Sequence, residues 1–88
     1  MTVAAIGGLT RAYVTPSEVY SIALAARAAS IVVVHNHPSG DATATREDIS
    51  VTQRLVEAGR LLGIPLMDHI ILGDGEAYVS LRRKGVIR

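Results

Sequence analysis

The chain has no cysteine, no tryptophan and no phenylalanine, and its only aromatic residues of that kind are three tyrosines. Without cysteine there is no disulfide staple and no thiolate, so any metal must be held by nitrogen and oxygen donors. That fits a reducing cytoplasm. So few aromatics remove the stacking platforms on which single-stranded nucleic acid lies, and leave the core to Val, Ile, Leu and Ala. Neither sign of charge is in excess: nine Lys and Arg face eight Asp and Glu, for a net charge of +1. A nucleic-acid surface needs clustered basic residues. The one local bias is Arg82-Arg83-Lys84 with Arg88, which reads as a solvated tail. No run approaches the roughly 20 apolar residues of a membrane span, and the N-terminus lacks the charged-then-apolar pattern of a signal peptide. No repeat or low-complexity linker divides the 88 residues, which read as one small domain.

What is present concentrates between Ser30 and Asp48. Ile31-Val32-Val33-Val34 is a short β-branched run, too short for a helix, and reads as a buried strand. In a strand, residues two apart share a face, so His35 and His37 point one way and Asn36 the other. Pro38 has no N–H and should end the ladder, leaving the histidines at the strand's open end. A polar Ser-Gly-Asp-Ala-Thr loop then leads to a helix whose first turn carries Asp48. If the loop folds back, a carboxylate joins two imidazoles. Two His and one carboxylate leave a tetrahedral zinc with one open position, the arrangement of a catalytic and not of a closed structural site. A water bound there becomes the nucleophile. Two plainer readings stand beside this one. Histidines near a strand end are commonly polar surface, and Thr45-x-x-Asp48 is also a helix-capping pattern.

Around that stretch the punctuation is regular. Val3 to Ile6 and Ala12 to Val14 read as short strands about a Gly7-Gly8 turn. Thr15-Pro16-Ser17-Glu18 is a helix start, and the helix runs to about Ala29 with Val19, Ile22, Ala23 and Ala26 inward. Gly40 supplies a backbone geometry that a side chain would block. The second helix continues to about Leu62 with Thr52, Leu55, Val56, Gly59 and Leu62 inward, and Gly63 ends it. Ile64 to Gly73 is a strand. Within it His69 reads as a hydrogen-bonded core or edge histidine in preference to a third ligand, and Asp68 as a group able to orient a ligand histidine. Gly73-Asp74-Gly75-Glu76 turns the chain into a partner strand, Ala77 to Ser80, and Leu81 to Lys84 forms a last short turn. The order β-β-α-β-α-β-β implies an α/β fold with a mixed sheet and helices packed on it.

His35-Asn36-His37-Pro38-Ser39-Gly40-Asp41, followed by Thr43, Thr45, Arg46, Glu47 and Asp48, resembles the signature of the RadC family within the JAB1/MPN (JAMM) metalloproteins. VTPSEV at Val14 to Val19, RLVEAGRLLG at Arg54 to Gly63, Asp68 to Ile71 and YVSL at Tyr78 to Leu81 extend the likeness over nearly the whole chain. The resemblance implies a curved mixed sheet in an α/β/α arrangement, with His35, His37 and Asp48 as zinc ligands. It makes Thr45 a catalytic residue that hydrogen-bonds the metal-bound water or the oxyanion; Ser39, a second hydroxyl near the site, reads mainly as a loop-former. The implied activity is metal-dependent hydrolysis of an amide or isopeptide bond in a protein or peptide substrate. One residue departs from the pattern. The family's general-base Glu falls at about Thr2 or just before Met1, and no Glu stands there, so residues 1–88 read as a single such domain that begins late. A non-catalytic interaction module and a DNA-repair-associated factor are the competing functions; the near-neutral charge gives the latter little support. A homodimer through an exposed sheet edge is the expected self-association.

Overall fold

The structure is a computed structural model that describes residues 2–5, 15–37 and 39–87. The elements are β1 (Thr2–Ala5), α1 (Pro16–Ala25), β2 (Ile31–Asn36), α2 (Arg46–Leu62), β3 (Leu66–Leu72) and β4 (Tyr78–Ser80). The expected Gly7-Gly8 turn, the strand at Ala12 to Val14 and the role of Pro38 lie outside the described residues. Among those described, no helix is long and apolar enough to cross a membrane.

The strands form one sheet in the order β1-β2-β3-β4. β1 and β3 flank β2 in parallel, and β4 returns antiparallel to β3. The mixed sheet with flanking helices expected from the sequence is therefore present. β2 is central, and its alternation buries Ile31, Val33 and His35 while Asn36 is exposed. Parallel pairing sets Val33 beside His69 and His35 beside Ile71, so these four side chains share a face. A register shift at Ile31/Val32 decides which β3 residues arrive there. Without it His69 would face the other way.

Both helices lie over that face and touch each other. The Tyr20 hydroxyl of α1 sits 3.1 Å from the Leu55 carbonyl oxygen and 3.0 Å from that of Ile64. Gly59 of α2 admits it, since a Cβ there would run into the Tyr20 hydroxyl. Burial pushes the Tyr20 phenol up. Val19, Ile31, Val33, Leu55, Ile71 and Leu81 are fully buried between these layers. Of the three layers that the resemblance implies, the described residues build two.

Three boundary and face expectations are corrected. α1 stops at Ala25, not Ala29, because Arg27 takes a left-handed φ of 51°. Ala28 N–H then donates to the Ala23 carbonyl and Arg27 N–H to that of Leu24, the paired bonds of a left-handed helix stop. No glycine marks the place, and the alanine run disguises it. Ile22 and Ala26 are exposed where an inward stripe was expected, Ile22 at 53%. Tyr20 takes the inward position, because its hydroxyl finds two carbonyls at the helix–helix contact. Leu62, also expected inward, is exposed in the last turn of α2, just ahead of Gly63 at φ 73°.

Candidate metal centre

The centre is assembled where β2 ends and α2 begins. His35 Nε2 lies 3.5 Å from Asp48 Oδ1, and His37 Nε2 lies 3.0 Å from Asp48 Oδ2. The imidazole centroids are 5.0 Å apart. One donor atom from each of His35, His37 and Asp48 falls within 4.8 Å of the others. Two donors at ~2.0–2.2 Å from a tetrahedral cation would stand about 3.4 Å apart. The two N···O separations bracket that value. His35 Nε2 is buried and has no hydrogen-bond partner, a costly condition for a polar atom unless a proton or a cation occupies its lone pair. These residues fit a divalent metal.

Each candidate ligand is held from behind. His37 Nδ1 lies 2.8 Å from the Asp41 carbonyl oxygen. A carbonyl only accepts, so His37 donates from Nδ1 and its Nε2 is the nitrogen turned toward Asp48. The loop that supplies this carbonyl is shaped by Asp41, whose Oδ1 accepts from the Thr43 N–H at 2.9 Å and hydroxyl at 2.7 Å. Those bonds hold the Asp41 carboxyl below the usual range. Ser39 accepts from the Asp41 N–H at 3.3 Å, the loop role expected of it. Gly40 has a φ of 82°, and a Cβ there would meet the Asp74 carboxylate. The backbone role expected of Gly40 is confirmed.

Asp48 serves two ends. Its Oδ2 accepts from the Thr45 N–H at 2.8 Å, while Thr45 Oγ1 accepts from the Asp48 N–H at 3.1 Å, a complete capping box. Its Oδ1 is left to face His35. Oδ2 also faces His37, so one carboxylate closes the cap and meets both imidazoles at once. Thr45 itself is exposed, and accepting from Asp48 leaves its own O–H to donate outward.

The remaining polar groups behave less uniformly. His69 is buried at 1% exposure, with Nε2 2.8 Å from His35 Nδ1 and Nδ1 2.7 Å from Thr52 Oγ1. It is the hydrogen-bonded core histidine expected, outside the ligand set. Burial above all holds its pKa down at about 4. Burial likewise lowers His35, with Asp48 pulling the other way and His37 reinforcing the drop. Asp68 does not orient a ligand histidine. It accepts from Ser80 Oγ at 2.6 Å and from the Arg82 N–H at 3.1 Å, tying β3 to the segment after β4. Thr52 was legible only as part of an inward stripe; its hydroxyl in fact donates to the Asp48 carbonyl at 2.6 Å. A histidine and a threonine at buried positions of neighbouring elements were the available signal.

Comparison with known proteins agrees with this geometry. The family model described as a RadC-like JAB domain matches residues 1–86. A UPF0758 protein of Methanosarcina acetivorans is 55% identical over 86 residues, 98% of this chain and 37% of that protein. UPF0758 proteins of Caldanaerobacter subterraneus and Bacillus licheniformis are 55% and 57% identical over 80 and 82 residues, covering 91% and 93% of this chain. The chain thus spans little more than a third of the length of the curated relatives it matches.

Proposed function

The chain belongs to the RadC-like JAB domain family, and from that premise we propose that it binds zinc through His35, His37 and Asp48 and serves metal-dependent hydrolysis of an amide or isopeptide bond. One observation carries the reading: three donors converge within 4.8 Å at a strand end, and one of them, His35 Nε2, is buried without a partner. A cation is the simplest occupant that satisfies all three. Nitrogen and oxygen donors of this kind suit zinc, and a chain free of cysteine suits a reducing cytoplasm.

When bound, zinc would supply Lewis-acid polarisation of the substrate carbonyl and a water acidic enough to attack it. His35 and His37 would bind through their Nε2 atoms and Asp48 through a carboxylate oxygen. His37 keeps its orientation through the Asp41 carbonyl. Asp48 keeps its own through the Thr45 N–H. Thr45, exposed at the rim with its O–H available, would donate to the oxygen on which charge develops. A proton acceptor for the attacking water is also needed; the family resemblance puts that Glu at about Thr2 or just before Met1, where the sequence has none, so hydrolysis by these 88 residues is expected to be impaired.

Metal analysis of the purified chain beside His35→Ala, His37→Ala and Asp48→Ala tests the site. One zinc per chain in the parent and loss in each variant is the expected result. Equal, negligible zinc in all four would sink the metal reading. Hydrolysis of a panel of peptide amides with added zinc then tests the activity: a longer chain carrying a Glu ahead of this sequence is expected to gain activity over residues 1–88, and no gain would count against the hydrolase reading.

A further inference from the structure

A carbonyl oxygen can only accept, and that fact fixes the direction of a hydrogen-bond chain running through three elements. Thr52 Oγ1 is 2.6 Å from the Asp48 carbonyl oxygen, so the hydroxyl donates there. With its one hydrogen used, Thr52 accepts from His69 Nδ1 at 2.7 Å. His69, at 1% exposure with its ring nitrogens against a hydroxyl and another imidazole, is neutral, so its Nε2 bears a lone pair. That lone pair faces His35 Nδ1 at 2.8 Å, and His35 must donate. A neutral imidazole with its proton on Nδ1 has its lone pair on Nε2. That is the atom turned toward Asp48 and left without a partner.

We propose that His69 and Thr52 are positioning residues that lock His35 in the Nδ1–H form and so keep its Nε2 ready to bind metal. The inference rests on the metal reading above and deepens it. The anchor of the relay is the backbone of Asp48, itself a candidate ligand. One ligand on β2 and another on α2 are therefore tied together through a side chain on β3. His37 has a short-range equivalent, the Asp41 carbonyl four residues away. Among the described residues no loop carbonyl meets buried His35, and its partner comes from the neighbouring strand.

The test needs no catalysis. In proton–nitrogen correlation spectra of the metal-free chain near neutral pH, His35 is expected as the Nδ1–H tautomer. Thr52→Val is nearly isosteric but cannot donate to Asp48 or accept from His69; Thr52→Ser can do both. Zinc affinity, read by competition with a chromophoric chelator, should fall by ~10–100-fold in Thr52→Val and stay near the parent in Thr52→Ser. His69→Gln, whose amide can accept from His35, should lose less than His69→Leu. Circular dichroism checks that each variant folds, and the Thr52 pair decides the matter if a His69 variant does not. Finding the proton of His35 on Nε2, or a folded Thr52→Val that binds zinc within twofold of the parent, overturns the proposal. If no protein in the series binds zinc, the metal reading fails on its own, and the tautomer spectra still decide for or against the relay.

Discussion

Two helix starts in this molecule carry almost the same letters and are put to different uses. At α1, Thr15 caps the helix by accepting from the Glu18 N–H at 3.3 Å, on an exposed surface. At α2, Thr45 caps by accepting from the Asp48 N–H at 3.1 Å, and the acid returns the bond from a position only 2% exposed. The local chemistry is common to both. What separates them is the neighbourhood: α2 begins against the end of β2, where His35 and His37 stand, and α1 does not. A Thr-x-x-acid pattern thus identifies a helix start but not its purpose. Burial of the acid against two imidazoles is what marks the second start as a candidate metal site.

The sharpest way to break the comparison is at the acid. Asp48→Ala removes a candidate ligand, and its zinc affinity should fall by more than the ~10–100-fold that outer-shell changes cost. Asp48→Asn keeps an oxygen for the Thr45 N–H but not the charge. It should keep thermal stability close to the parent while still losing zinc, as measured by melting curves and chelator competition. A variant that melts early but holds zinc would reverse the assignment.

Acid should find the second helix start before the first. His69 is depressed from 6.5 to about 4 by burial, and His35 is lowered in the same direction. As pH falls, the unfolded chain therefore takes up protons before the folded one does. Stability of the metal-free chain is full above pH 6.5 and declines through the window down to about 4. His69 alone is expected to contribute on the order of 3 kcal/mol to that loss. Urea unfolding across this range should show the slope, and His69→Gln should flatten it. An unchanged slope would mean that the buried histidine is protonated equally in both states.

The caps themselves should differ by less. Thr45→Ala is expected to cost about 1–2 kcal/mol and Thr15→Ala about 0.5–1 kcal/mol, because the former breaks a reciprocal, partly buried pair. Chemical denaturation of the two variants ranks them. At the small end, Glu18→Gln should leave zinc content unchanged, and any loss of metal there would join the two helix starts functionally.

Much of the candidate centre was legible because its three side chains obey local rules. His35 and His37 share a face by strand periodicity, and Asp48 falls in a helix first turn by its cap signature. The relay behind His35 was not. Whether His69 meets His35 depends on the β2–β3 register and its shift at Ile31/Val32, a long-range fact that no short spacing encodes. The helix faces show the same limit. Val19 and Ala23 follow the period, but Tyr20 displaces Ile22 because two carbonyls on other elements await its hydroxyl. Arg27 stops α1 in a conformation that the sequence would assign to glycine.

His37 hangs from the hairpin side of the sheet: its N–H donates to the Leu72 carbonyl, its own carbonyl accepts from Gly40, and the Gly40 carbonyl accepts from Asp74 at the hairpin tip. Movement of that tip is consequently felt at one imidazole. Amide protons of His37, Gly40 and Asp74 should exchange with solvent as a group. Anything that pressed on the hairpin would, by the same linkage, shift one candidate donor against the other two.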